Sequence, residues 1–186
     1  MRISVRFAVL AASLVLASPR ATIAQQPSGI MAELLADLGQ AQKKMVDLAK
    51  AMPADKYNWR PAPGVRSVGE VFLHVAAYNY FLPAGMGYAP PAATGIKATD
   101  YKTADAFTVR KLAKDAIVKE LEDSYRFLQS SMAATTDAKL TQTATIFGFK
   151  QTVRGWWVGT LTDMHEHLGQ AIAYARVNGV VPPWSK

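Results

Sequence analysis

Apolar residues recur every three or four positions in four long segments of this chain, and no other feature of the sequence restricts its fold as strongly. Residues at this spacing lie on one face of an α-helix, so the pattern predicts helices that each bury one face. The stripe of the first segment, residues 28–52, consists of Ile30, Leu34, Leu38, Ala41, Met45, Leu48 and Met52. The same spacing predicts helices over residues 67–82, 105–132 and 151–178.

Capping residues, prolines and a glycine mark the ends of these helices. Ser67 and Glu70 have the spacing of a capping box, in which each side chain bonds the backbone N–H of the other residue. Pro53 and Pro83 are expected to end the first two helices, because proline lacks the N–H that a helix needs. Gly179 is expected just beyond the end of the fourth helix, where a left-handed backbone is common.

The connections between the helices are long and contain no strand pattern. They cover residues 53–64, 83–103 and 133–149, and they are rich in proline, glycine, threonine and alanine. In the third helix, the spacing places Val109 and Leu112 on the inward face. Four amphipathic helices without strands predict an all-α fold, an antiparallel four-helix bundle with long connections after helices 1, 2 and 3.

Residues 1–24 have the parts of a secretory signal peptide. Arg2 and Arg6 form a basic start, residues 7–17 are mostly apolar, and small residues follow. This apolar run is shorter than the roughly 20 residues that cross a bilayer, so we expect cleavage rather than anchoring. The remaining residues, 25–186, are then expected to form a single exported domain that is periplasmic or secreted.

Composition excludes several classes of function. Removal of Arg2, Arg6 and Arg20 with the signal peptide takes away three positive charges and no negative one, which lowers the formal net charge from +7 to +4. The remaining basic residues are scattered, so we expect no nucleic-acid partner. No later segment is apolar enough to span a membrane, so we expect no stable membrane insertion after cleavage. The chain contains no cysteine, which excludes disulfides, thiolate ligands and a cysteine nucleophile.

A polar stripe follows one face of the fourth predicted helix, between flanking apolar residues. It consists of Thr160, Asp163, His167, Gln170 and Tyr174. Buried polar groups cost free energy unless they are paired, so a stripe with apolar borders indicates an inward-facing site. A carboxylate and an imidazole one turn apart can share a metal ion or a proton. His74 lies in the apolar second helix, and we expect it to meet this stripe.

Three stretches of the sequence, residues 52–61, 67–76 and 167–176, resemble the DinB-like (DinB/YfiT) superfamily of metal-binding four-helix bundles. This resemblance implies a divalent metal ion held by three histidines, one from helix 2 and two, four residues apart, from helix 4. His74 matches the first of these positions and His167 the third. The middle position is Asp163, which would give a two-His, one-carboxylate set for Zn²⁺ or Ni²⁺.

The resemblance also implies a class of chemistry. Characterised relatives include transferases and isomerases that use mycothiol-type or bacillithiol-type cofactors. Such thiols are cytosolic, and this chain has no motif for a thiol cofactor or a nucleotide, so an exported member is expected to act differently.

Several neighbours of the expected ligands are candidates for supporting roles in the site. Glu70 and Tyr78 lie one turn before and one turn after His74, and Gln170 and Tyr174 continue the polar stripe. These four residues are expected to support the ligands or to line a pocket. His165 is about 200° around the helix from His167, so it should point away from the site.

Two hypotheses of function follow from these residues. In the first, His74, Asp163 and His167 hold a divalent ion, and the protein hydrolyses a small molecule or transfers a group to it. In the second, the metal site is degenerate, and the bundle is a non-catalytic module for ligand binding or dimerisation. A small-molecule ligand and a homodimer are therefore the partners that we expect.

Overall fold

The computed structural model of this protein describes residues 29–185, and its helices enclose one apolar core. The predicted signal peptide and the first residues of the predicted first helix, including Ser28, lie outside the described residues. The helices and strands, in chain order, are α1 Ile30–Ala51, α2 Val68–Gly85, α3 Lys102–Thr108, α4 Lys114–Ala133, α5 Asp137–Leu140, β1 Thr143–Ile146, β2 Phe149–Thr152 and α6 Val153–Val177.

The four long helices α1, α2, α4 and α6 form the bundle, which confirms the predicted all-α fold. α1 packs against α4 and α6, whereas α2 packs against α3, α4 and α6. α2 is buried along nearly its whole length, and only Glu70, Tyr78 and Gly85 are half-buried. Glu70 and Tyr78 lie one helical turn before and after His74. The face of α2 that carries His74 therefore contains two of the three half-buried residues of the helix.

The ends of α2 show both a confirmed prediction and a wrong one. The capping box forms as expected: Ser67 Oγ accepts from the Glu70 N–H at 3.3 Å, and the Glu70 carboxylate accepts from the Ser67 N–H at 2.9 Å. Pro83, however, does not end the helix, which continues to Gly85. A proline in the last turn removes only one helical hydrogen bond. The Met86 N–H then closes the helix by bonding the Leu82 and Pro83 carbonyls.

The predicted third helix over residues 105–132 is wrong as a single element, because the chain breaks it into α3 and α4. Val109 and Leu112, expected inside, lie in the break and are exposed. The reason is tertiary: α3 packs mainly beside α2, whereas α4 lies along both α1 and α2. Arg110 lies over the Phe107 ring at 3.5 Å and pairs with Glu120, and these contacts link the two helices across the break.

A β-hairpin in the third connection was not predicted from the sequence. β1 and β2 pair antiparallel with Ile146 opposite Phe149, so Phe147 and Gly148 form a two-residue turn. Strands of four residues are too short to show a clear alternation of apolar and polar positions. The side chain of Ile146 packs against Gly85, where a Cβ atom would lie only 2.6 Å from Ile146 Cγ1. Only glycine therefore lets the hairpin approach α2 this closely.

The loop after α1 is held to the bundle by two aromatic residues. The Tyr57 hydroxyl donates to the Ala49 carbonyl at 2.7 Å. The Trp59 ring meets the ring of Tyr174 edge-on, with centroids 5.3 Å apart. This second contact brings the loop against the C-terminal half of α6, beside the polar stripe.

Within residues 29–185, no helix has the length and apolar character needed to cross a membrane.

Candidate functional site

The C-terminal half of α6 carries a chain of linked polar side chains. Asp163 Oδ1 lies 3.6 Å from His167 Nε2, one helical turn away. On the other side of that ring, His167 Nδ1 lies 3.0 Å from Gln170 Oε1, and Gln170 Nε2 donates to the Tyr174 hydroxyl at 3.2 Å. Thr160, the first residue of the predicted stripe, instead donates to the Trp156 carbonyl. Four of the five stripe residues therefore form one connected row.

His74 from α2 meets this row at His167. The two imidazole rings are 4.6 Å apart between centroids and nearly perpendicular, at 79°. This contact joins residues from two helices that are far apart in the sequence, and it is the meeting that the sequence predicted. His74 is 4% exposed, and its buried Nδ1 has no hydrogen-bond partner in the described chain. An unpartnered buried nitrogen of this kind costs free energy unless a ligand or an ordered water bonds it.

Burial keeps His74 uncharged. Desolvation, with smaller contributions from the nearby Arg66 and His167, lowers the pKa of His74 to about 3. At neutral pH its ring therefore has a free lone pair, which is the state in which imidazole binds a metal ion or accepts a hydrogen bond. Asp163 shifts the other way, because desolvation raises the pKa of its carboxyl while His167 and Arg66 partly oppose that rise.

Gln170 orients the ring of His167. Since the Gln170 amide nitrogen donates to Tyr174, its oxygen faces His167 Nδ1, and the network assigns the hydrogen to that nitrogen. His167 Nε2 then presents a lone pair toward the Asp163 carboxylate. A lone pair facing a carboxylate is unfavourable unless a proton or a cation lies between them. This half of the site is therefore arranged to hold a positive charge.

Aromatic rings line the site on the side of α2. The Tyr78 ring packs on His74, with centroids 4.2 Å apart. Phe147, at the turn of the hairpin, stacks on Tyr78 at 6.0 Å with an angle of 24° between the rings. The hairpin that the sequence did not predict therefore reaches the wall of the site, and Tyr78 lies where a pocket-lining residue was expected.

Two residues considered from the sequence lie apart from this cluster. The Glu70 carboxylate is occupied by the Ser67 N–H, Arg60 and Lys111, so it acts as a helix cap and an ion-pair partner. His165 points toward α1, where its Nε2 lies 3.0 Å from an Asp37 oxygen. The two histidines of α6 thus face different helices, as their spacing predicted.

A match to a family model shows to which family of proteins this chain is related. The model of the DinB superfamily matches residues 37–171, which is well over half of the sequence. The chain belongs to the DinB superfamily. A comparison with curated proteins gave no match.

Solved structures of DinB-like proteins have the same fold. A DinB-like protein from Bacillus cereus ATCC 10987 is similar with a TM-score of 0.67 at 16% identity, over 81% of this chain and 93% of that one. For the DinB-like protein YjoA from Bacillus subtilis, the TM-score is 0.59 at 17% identity, over 80% and 93%. A conserved protein from Enterococcus faecalis gives 0.67 at 17% identity, over 81% and 97%. At these identities the similarity shows the fold alone.

The side chains at this site of the DinB bundle have the donor atoms that a divalent ion prefers, but their present positions do not suit one. Two imidazoles and a carboxylate are a recognised donor set for such ions, and Gln170 orients one imidazole in the way that metal-binding histidines require. Within residues 29–185, however, no group of three or more His, Asp or Glu side chains is positioned to hold a metal ion. Binding would therefore require at least one of His74, Asp163 and His167 to turn.

Sequence reasoning missed two residues beside the site. Arg66 precedes the cap of α2, and its charge lowers the pKa of both His74 and Asp163. In the sequence it appears only as one of many scattered basic residues. Phe147 gave no signal either, because its position depends on a hairpin that packs against α2. A Phe-Gly pair after a Thr-rich stretch was the only local hint of a turn.

Proposed function

We propose that this DinB-superfamily protein is an exported, divalent-metal-dependent enzyme that hydrolyses a small molecule or transfers a group to it. His74, Asp163 and His167 would hold the ion, with Zn²⁺ and Ni²⁺ as the leading candidates. The observation that carries the proposal is the meeting of two imidazoles, 4.6 Å apart between ring centroids, beside a carboxylate 3.6 Å from His167 Nε2. His74 itself is buried, whereas Glu70 and Tyr78, one turn on either side of it, are half-buried.

The residues around the ion would have separate roles at this site. A divalent ion bound there would act as a Lewis acid that activates water or polarises a substrate oxygen. Burial keeps His74 in the neutral form that binding needs, and Gln170 holds the ring of His167 by its Nδ1. Tyr78 covers one side of His74 and restricts the access of solvent.

A second candidate function is a non-catalytic module that binds a ligand or forms a dimer. The row from Asp163 through His167 and Gln170 to Tyr174 favours it, because one proton between Asp163 and His167 would complete the row without a metal ion. In this case a proton would lie between Asp163 and His167, and the aspartate would mark a degenerate metal site. The two functions differ in whether His74 and Asp163 are needed to retain metal.

Metal content is the decisive test. Mature protein, beginning at Gln25, is purified from the periplasm without a metal-affinity column and analysed by mass spectrometry. We expect about one divalent ion per chain, and its loss in His74→Ala, Asp163→Asn and His167→Ala. His165→Ala is the matched control, since it removes an imidazole from the same helix but from the opposite face, and it should retain the metal.

The same variants separate the two candidate functions. Equal metal retention in all four would contradict the ligand assignment. Absence of metal after equilibration with zinc and nickel would favour the non-catalytic module. Where metal is retained, a screen of hydrolysis and transfer reactions before and after chelation tests the enzymatic proposal, which requires activity that is lost on chelation and restored by the ion.

A further inference from the structure

A groove of about 650 Å³ opens beside the candidate site, between the hairpin and the loop that leads to α3. Phe81 of α2 lines one part of it, Thr99 and Tyr101 come from the loop, and Ile146 and Phe147 come from the hairpin. Its volume lies within the range of small-molecule sites, about 300 to 1,000 Å³. Three of the eight residues that line the groove are aromatic, and they are its largest side chains.

Phe147 adopts a conformation that its surroundings in the fold do not explain. Its φ angle is 54°, and it is the only non-glycine residue with positive φ in the part of the chain that the structure describes. Two-residue hairpin turns with positive φ at both positions favour Asn-Gly, because a Cβ atom is strained there. Burial does not account for the phenylalanine, since 41% of it remains exposed. Strained residues of this kind concentrate at functional sites.

The ring of Phe147 connects the groove to the two histidines. On one side it meets the ring of Tyr101, which also lines the groove, edge-on with centroids 6.2 Å apart. On the other side it stacks on Tyr78, whose ring lies 4.2 Å from that of His74. The rings therefore form a continuous row from the groove to His167. Because Phe147 and Tyr78 lie between the groove and His74, a molecule in the groove would have to extend along both rings to reach the polar site.

We propose that this groove binds a planar aromatic small molecule, or the aromatic part of one, and directs its polar group toward His74 and His167. The walls suit such a ligand, because aromatic rings attract one another in offset-stacked and edge-to-face arrangements. Phe147 would supply a ring face at the turn, and Tyr101, which lies edge-on to it, would extend this aromatic surface. This inference deepens the proposed function by naming its class of substrate, and it rests on that function for the role of the polar group.

Binding of 2-naphthalenemethanol tests the groove directly, with its saturated decalin counterpart as the non-aromatic control. Phe147→Asn is the informative variant, because asparagine fits the turn and the hairpin should persist. We expect it to weaken naphthalene binding about tenfold, with Tyr101→Ala giving a similar loss. Phe149→Asn is the matched control: it makes the same change two residues further along the hairpin, where the ring is 72% exposed and does not line the groove, and binding should be retained.

Three results would overturn the proposal: equal affinity for the saturated compound, wild-type affinity in Phe147→Asn, or an equal loss in Phe149→Asn. Circular dichroism and thermal unfolding of each variant verify that the bundle is folded. Binding is measured on chelated protein, so that the groove and the metal site are judged separately. Naphthalene binding by a chain that retains no metal would overturn only the metal-dependent function, whereas metal retention without naphthalene binding would overturn only the aromatic groove.

Discussion

Two histidines separated by one residue on α6 have opposite environments. His165 is 48% exposed in its side chain and pairs with the equally exposed Asp37 of α1. His167 is 14% exposed, and it lies between Gln170 and the buried His74 of α2. The residue type and the helix are the same, so the face of the helix decides which imidazole belongs to the site.

The difference shows how burial changes the role of a polar group. An exposed ion pair adds little to the free energy of unfolding, because water solvates both groups and screens their charges. A polar group that is removed from water must find a partner in the protein or in a ligand. The unpartnered Nδ1 of His74 and the oriented ring of His167 therefore carry information about function, whereas the pair of His165 with Asp37 does not.

The largest expected effect is the pH dependence of stability that His74 produces. Its folded pKa of about 3 lies below the unfolded value of 6.5, so between these values the unfolded chain binds more protons. Stability should therefore fall as the pH is lowered from 6.5, by up to about 1.4 kcal/mol per pH unit. Denaturant unfolding at several pH values between 6.5 and 5 measures this slope.

His74→Gln should reduce that slope, because glutamine is polar but does not titrate. His165→Gln makes the same change on the exposed face and reports the effect of the substitution itself. If the slope of His74→Gln equals that of the wild type, His74 is not held in a buried neutral state. The pH dependence of stability then does not distinguish this histidine from the exposed His165.

A smaller effect on the free energy of unfolding is expected when Gln170, which orients His167, is replaced. Gln170→Ala removes the acceptor of His167 Nδ1 and the donor to Tyr174, and we expect a loss of about 1 kcal/mol in the free energy of unfolding. Urea denaturation measures the loss. Tyr174→Phe removes only the outer hydrogen bond and should cost less. Equal stability of Gln170→Ala and the wild type would show that this row does not hold the ring.

The smallest effect is expected on the exposed face. Asp37→Ala breaks the pair with His165, and the free energy of unfolding should change by less than about 0.5 kcal/mol. The same urea titration provides the measurement. A loss as large as that of Gln170→Ala would remove the distinction between the two faces of α6.

Much of the fold and part of the site could be predicted because they depend on neighbours in the sequence. The capping box of Ser67 and Glu70 formed, and the spacing of Asp163, His167 and Gln170 on one face of α6 required only the geometry of a helix. The metal-dependent role of these residues stays a prediction. The break between α3 and α4 was missed because its apolar spacing continues across the junction of two helices.

The sequence by itself determined the helical faces, the caps and the separation of His165 from His167, because each depends on backbone bonds and side chains within a turn or two. Only the tertiary structure decided that His74 meets His167, that Phe147 reaches Tyr78 and that the charge of Arg66 acts on the Asp163 carboxyl. These contacts join distant parts of the chain, and they exist because helices pack where their apolar faces fit. The burial that keeps His74 neutral arises from the same packing.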